Sequence, residues 1–295
     1  MMENGFTAII EAYLSDPETF QKIADAAGFK GGGGDRAAEI VTLDKDGLEI
    51  GKVENPHPEL KTIVSVLMRI GVYLFGPKGS GKSTIMQQAA EALGVRCYVQ
   101  GRVESAFEIF GFRDGRGEYR RTAFRDAFEH GGVYCLDEMD RCDPTAVTAL
   151  NDALSSGRAL FPDGETIRQH EAFYFGGTGN TAGRGEEVGY SAAVEHDSAV
   201  LDRLACIKID YDSDFERSLI PARFGYWVDR VLALRSAIEK VGAQCSATPR
   251  ASIKGAQLLH DGIKQADVED MLIFKGLDAS TVDTIKREAA RGEED

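Results

Sequence analysis

Tryptophan occurs once and cysteine five times in 295 residues, and no two cysteines form a C-x-x-C pair. That excludes a zinc ribbon or a dense disulfide framework; Cys97, Cys135, Cys142, Cys206 and Cys245 read as reduced, buried thiols. The five histidines have no metal-ligand spacing and receive no role. No apolar run is long enough to span a membrane, the best being Ile63 to Met68. The first residues lack a basic start followed by an apolar core, so no secretory signal is expected, and the expected location is cytoplasmic. Basic residues are outnumbered, 34 against 48, and the net charge of −14 argues against general coating of nucleic acid. No internal repeat and no long low-complexity tract is present, which excludes a solenoid. What remains is a chain that is 43% hydrophobic, enough for one large domain or two smaller ones.

The most informative stretch is Gly76-Pro77-Lys78-Gly79-Ser80-Gly81-Lys82-Ser83, followed by Thr84. It fits G-x-x-x-x-G-K-[ST], a loop whose backbone N–H groups cradle a phosphate chain. The glycines let those groups turn inward, and the helix that follows adds positive partial charge. Lys82 supplies a point charge for the β- and γ-phosphates, and the Ser83 hydroxyl is a candidate Mg²⁺ ligand. The context agrees. Val72 to Phe75 reads as a buried strand entering the loop, and Ser83 to Leu93 as a helix leaving it, with Gly94 as its cap.

Further strands are expected at Val95 to Val99, Val133 to Leu136, Phe173 to Thr178 and Cys206 to Tyr211, alternating with helices. This pattern gives a parallel, helix-covered sheet with its site at the C-terminal ends of the strands. The third strand runs into Asp137-Glu138. An apolar strand ending in Asp-Glu supplies the other half of a nucleotide-hydrolysis site: Asp137 for Mg²⁺, Glu138 as general base toward water. The fourth strand ends at Asn180, a polar tip suited to orient that water or sense the γ-phosphate, or else a turn-forming Asn.

Outside this framework, helices are expected at 6–13 and 17–27, then a flexible Gly31 to Gly34 loop, and a small hairpin from Ile40 to Ile50. A helix over Glu59 to Ile70 leads into the first strand. Arg113, Arg116, Arg120, Arg121 and Arg125 form a basic island in and just after a glycine- and aromatic-rich loop. It reads either as a solvated loop or as a surface for a substrate or a neighbour's phosphates. A second hairpin turns at Pro162-Asp163-Gly164. Gly183 to Gly189 is glycine-rich and expected to be mobile. From Phe215 the periodicity is helical, with a proline-started helix at Thr248-Pro249-Arg250, and the last residues, 291–295, are expected to fray.

This ordered set resembles the AAA+ ATPases. Within them it looks like the dynein-related branch of MoxR-type ATPases, the small ATPase subunit of cobaltochelatase and the NorQ/CbbQ-like activators. Gly76 to Ser83 corresponds to Walker A, Leu136-Asp137-Glu138 to Walker B and Asn180 to sensor 1. Leu201-Asp202-Arg203-Leu204 resembles the arginine-finger segment, and Thr248 to Ala251 the sensor 2 segment. The resemblance implies a P-loop NTPase αβα sandwich with a five-stranded parallel sheet in the order 5-1-4-3-2 and a helical lid. It implies ATP and Mg²⁺ as cofactors and a homo-oligomeric, hexameric ring. Arg203 would then serve a neighbour's ATP, or in the alternative pair locally with Asp202 or Asp197; Arg250 would reach the γ-phosphate from the lid. Arg113 to Arg121 falls at the branch's helix-2 insertion, and the hairpin near Asp163 at its pre-sensor hairpin. The expected division is 1–58 of unknown role, 59–214 the nucleotide-binding core and 215–295 the lid. Sensor 1 departs from the commoner A-T-x-N by reading Gly-Thr-Gly-Asn, which predicts a looser strand tip. The implied function is ATP-driven remodelling of a protein client, in company with a von Willebrand factor A domain partner. A nucleic-acid motor and an ATP-gated scaffold with slow turnover are the alternatives.

Overall fold

The computed structural model describes residues 40–43, 49–185 and 192–291, all within the unit Ala38–Asp295 into which the chain divides after residue 37. The helices expected at 6–13 and 17–27, the four-glycine loop, residues 186–189 of the glycine-rich stretch and the tail at 292–295 lie outside the described residues.

An antiparallel hairpin of β1 (Ile40–Leu43) and β2 (Glu49–Val53) comes first. There follow α1 (Leu60–Leu67), β3 (Gly71–Phe75), α2 (Lys82–Ala92), β4 (Cys97–Gln100) and α3 (Ala106–Phe110). A short hairpin of β5 (Phe112–Arg113) and β6 (Tyr119–Arg120) precedes α4 (Ala123–His130), β7 (Gly132–Leu136) and α5 (Pro144–Ser156). A second hairpin, β8 (Arg158–Leu160) and β9 (Thr166–Arg168), leads to β10 (Phe173–Gly179), α6 (Ser198–Leu201) and β11 (Leu204–Lys208). The chain closes with α7 (Ser213–Ser218), α8 (Gly225–Val241), α9 (Pro249–His260), α10 (Gln265–Leu272) and α11 (Ala279–Arg291). Polar residues set the helix starts. Thr122 caps α4, Asp143 caps α5 ahead of Pro144, Asp197 caps α6, and Ser105 with Glu108 forms a capping box on α3.

The main sheet is parallel throughout and ordered β11-β3-β10-β7-β4, which in sequence order is the expected 5-1-4-3-2. Its strands alternate between two cores. Val72, Leu74, Val133 and Cys135 join Leu60, Ile63, Ile85 and Met86 of α1 and α2 on one face. Tyr73, Tyr134 and Leu136 join Ile109, Phe124, Phe128 and Leu150 of α3, α4 and α5 on the other. A third core holds α8 to α11 together. There the single tryptophan, Trp227, is fully buried, and its Nε1 donates to the carbonyls of Ala251 and Ser252. A Cβ on Gly255 would lie 2.3 Å from that nitrogen, so glycine is what lets α8 and α9 close.

All five cysteines are free. Cys135 and Cys142 are buried as expected, but Cys97 and Cys245 are half-buried and Cys206 is exposed. Cys206 belongs to the edge strand β11, where alternate residues face outward. Among the described residues no helix is long and apolar enough to cross a membrane.

Candidate nucleotide site

Three strand ends converge because the sheet is parallel: β3 delivers Gly76, β7 delivers Asp137 and β10 delivers Asn180. A cavity of about 390 Å³ opens there. Its wall includes Lys78 to Thr84, Asp137, Glu138 and Asn180, and Arg250 enters from the first turn of α9. Gly76 and Pro77 stand just behind, and both their carbonyls accept from Lys82 Nζ at 2.8 Å. Lys82 also lies 3.5 Å from Asn180 Oδ1. Burial pushes its ammonium down to about 8; Asp140 and Asp137 oppose the fall and Arg250 adds to it.

Ser83 Oγ donates to Asp137 Oδ1 at 2.9 Å, and the Thr178 hydroxyl donates to the same oxygen. These are hard oxygen donors of the kind Mg²⁺ takes. Among the described residues no group of three or more His, Cys, Asp or Glu could hold a metal by itself. Ser83 and Asp137 therefore fit an ion that completes its shell with phosphate and water. Glu138 follows in a left-handed conformation, φ 53°, which a non-glycine residue adopts at a cost. Its N–H reaches Asp137 Oδ1 at 3.2 Å, and Arg141 stands 3.3 Å from its carboxylate.

Arg203 lies elsewhere. It is exposed, and its neighbour Leu204 pairs with Gly71, the residue that begins β3, whereas the phosphate loop leaves β3 at its far end. It donates to the carbonyl of Ala199, and no ion pair to Asp202 or Asp197 is formed among the described residues.

Several cavity residues had no signal in the sequence reading. Asn55 and His57 come from the segment after β2, Phe215 and Leu219 from α7 and its end, and Ile253 from α9. The ring of His57 meets Phe215 edge-on at 4.9 Å. Burial lowers its pKa, against the pull of Asp212 and the Ser80 backbone. These side chains add ring and aliphatic surface to the wall of the cavity. Their only prior signal was position, just before the first strand and just after the last.

One expectation changes and one open alternative narrows. The tip of β10 is not loose. A Cβ on Gly179 would lie 2.0 Å from the Tyr73 hydroxyl and 3.0 Å from Asp140 Cγ, so glycine there serves close packing. The arginine island, left open between a solvated loop and a contact surface, is engaged within the fold at Arg113, Arg120, Arg121 and Arg125. Arg113 donates to the carbonyls of Pro162 and Asp163 at 2.7 Å each. Arg120 pairs with Asp114, and Arg121 with Asp126 and Glu129. Arg125 is only 2% exposed; it bonds Asp163, Glu165 and Glu129 and stacks over the rings of Tyr119 and Phe161. Its spacing from Phe124 and Phe128 already puts it beside the buried face of α4.

Residues 71–195 match the family model of the AAA domain, dynein-related subfamily. No curated protein is matched. Among solved structures, NtrX from Brucella abortus superposes with a TM-score of 0.50 at 13% identity, covering 89% of this chain and 59% of that one. A RuvB mutant of Thermotoga maritima gives 0.46 at 15% identity, covering 78% and 71%. The chain thus spans only part of either structure. The stretch matched by the family model carries the glycine-rich loop, Asp137, Glu138 and Asn180.

Proposed function

We propose that the chain is an ATP hydrolase, converting ATP and water to ADP and phosphate, and that it works as a subunit of a homo-oligomeric ring. The observation that carries this reading is the convergence of Lys82, Ser83, Asp137, Glu138, Asn180 and Arg250 on one cavity while Arg203 stands outside it. The backbone from Gly76 to Thr84 holds the phosphates, and Lys82 balances their charge. Ser83 and Asp137 hold Mg²⁺, which when bound neutralises charge that develops on the phosphates. Glu138 accepts the proton of the attacking water, Asn180 orients that water, and Arg250 reaches the γ-phosphate from the lid. Asn55, His57, Phe215 and Leu219 take the base. Arg203 serves the neighbouring subunit, where a trans arginine accelerates phosphoryl transfer by roughly 10³–10⁵ in other systems.

The work done with that energy is remodelling or activation of a protein client, as in MoxR-type and cobaltochelatase-type ATPases, with a von Willebrand factor A domain partner. The two hairpins are the surface offered to the client, with Phe112 and Leu160 exposed on them. The engaged arginines weaken the nucleic-acid alternative, because Arg113, Arg120, Arg121 and Arg125 are held by carbonyls and carboxylates of their own fold.

The test is ATPase rate against protein concentration, with oligomer mass measured on the same samples. A rate per subunit that rises with ring assembly and collapses in Arg203→Ala is expected. Glu138→Gln should bind ATP and assemble but lose hydrolysis by about 10²-fold or more. A monomer hydrolysing at a concentration-independent rate, indifferent to Arg203→Ala, would remove the ring from the account.

A further inference from the structure

Behind the nucleotide cavity lies a buried polar knot that none of the roles above uses. Asp140 sits in a single 3-10 turn, Met139–Arg141, directly after Glu138, and is 1% exposed. Its Oδ2 accepts three bonds from the end of β10: the Asn180 N–H at 2.8 Å, the Thr181 N–H at 3.0 Å and the Thr181 hydroxyl at 3.3 Å. From the other side the Tyr73 hydroxyl donates to the Thr181 carbonyl at 2.8 Å. The main chain of the same turn is also held. The Asp140 carbonyl accepts from Val194 N–H at 2.8 Å, and the Met139 carbonyl lies 2.7 Å from Nε2 of buried His196.

Asp140 Oδ1 is buried and has no hydrogen-bond partner among the described residues. Such a group calls for an explanation beyond stability. Two features supply one. The N–H groups it holds belong to Asn180 and the residue after it, so the carboxylate sets where the Asn180 amide can point. The oxygen of that amide lies 3.5 Å from Lys82 Nζ. Gly179 is also the residue that lets Asp140 come this close to the strand.

We propose that Asp140 is a positioning residue of the hydrolysis site: its carboxylate clamps the main chain of Asn180 and Thr181, which keeps the Asn180 amide on the Lys82 side of the cavity. The inference rests on the ATPase reading above. Asp140 itself lines no part of the cavity and touches no reacting group.

The experiment is a double-mutant cycle in the full chain with Asp140→Ala, Asn180→Ala and the pair, plus Asp140→Asn and Glu138→Gln, reading kcat, KM and affinity for a fluorescent ADP analogue. Asp140→Ala should lower kcat about tenfold or more, with KM and ADP affinity within about threefold of wild type. Asp140→Asn should recover most of the rate, because a carboxamide oxygen still accepts both N–H bonds. The double variant should be no slower than Asn180→Ala alone. A purely structural role would instead lower binding and rate together and multiply with Asn180→Ala. Wild-type kcat in Asp140→Ala, or fully multiplicative effects, with Glu138→Gln inactive as expected, overturns the assignment alone. Wild-type hydrolysis in Glu138→Gln would remove the ATPase reading, and the assignment with it. If Asp140→Ala does not fold, Asp140→Leu, which removes the acceptor but fills the space, takes its place in the cycle: its rate loss must vanish once the amide at 180 is gone, and a wild-type rate or a loss that multiplies with Asn180→Ala overturns the assignment.

Discussion

Two of the molecule's concentrations of charge are built on opposite plans. In the nucleotide cavity, Lys82 is buried against carbonyls, and its nearest carboxylates, Asp137 and Asp140, are bonded to other groups. Its ammonium is held down to about 8 by burial. In the hairpin cluster, Arg125 is equally buried but meets three carboxylates and two aromatic faces. Burial alone would lower its pKa; the bonds from Asp163, Tyr119, Glu129 and Glu165 outweigh burial and raise it. A site that must bind an anion leaves its cation undercompensated, whereas a structural cluster supplies every counter-charge itself. Basic residues in a sequence do not say which plan they belong to; the partners do.

The largest effect that would sharpen this contrast is at Lys82. Lys82→Ala should weaken nucleotide binding by about 10²-fold or more while leaving the unfolding midpoint near wild type, because its bonds in the folded chain are only to carbonyls and a hydroxyl. A titration with fluorescent ADP checks it, and unchanged affinity would break the comparison at its first term. Next is Arg125→Ala, expected to cost roughly 3 kcal/mol, the low end for a broken buried ion pair, since Glu129 and Glu165 are partly exposed and regain water. Urea unfolding reads this, and a loss under about 1 kcal/mol would mean the cluster is ornamental.

A pH dependence follows from the same cluster. Burial works against ionisation of Asp163 and Glu129, but the Glu165 N–H and Arg125 at the first, and Arg121 and Arg125 at the second, hold both carboxyls below their ordinary values. A carboxyl depressed in the folded state stabilises above its unfolded pKa and loses that contribution as pH falls through the folded value. Wild type should therefore lose stability steeply between about pH 5 and pH 3, and Arg125→Met less steeply. Equal slopes for the two would detach Arg125 from these carboxyls. The smallest effect belongs to Arg120→Ala: its pair with Asp114 is more than half exposed on the arginine side, so a change below about 1 kcal/mol is expected in the same unfolding assay. A larger loss would extend the structural plan to the rim of the hairpin.

How far the fold was legible varies with the range of the interaction. The five sheet strands, the helix after the glycine-rich loop and the helix before β3 appeared within a few residues of their expected bounds, because alternation, capping residues and glycine stops act locally. The β8/β9 hairpin turned where Pro162-Asp163-Gly164 predicted. That Gly76 to Ser83, Asp137, Glu138 and Asn180 would meet was legible, because their placement depends on neighbours in sequence and on strand order alone. Asn55, His57, Phe215 and Ile253 were not, since they meet across the cavity from three distant segments and no local pattern marks them. Gly179 pointed the wrong way for the same reason: its cause is the hydroxyl of Tyr73, more than a hundred residues earlier.

Local chemistry alone determined that a loop of phosphate-binding pattern would sit at the end of a parallel sheet, because backbone turns, strand periodicity and helix caps are decided within a few residues. Only the tertiary structure decided which charges are free. Burial and counter-charge come from residues remote in the chain, so Arg125 became a structural weld, Arg203 stayed apart from its own cavity, and Asp140 came to rest behind Asn180.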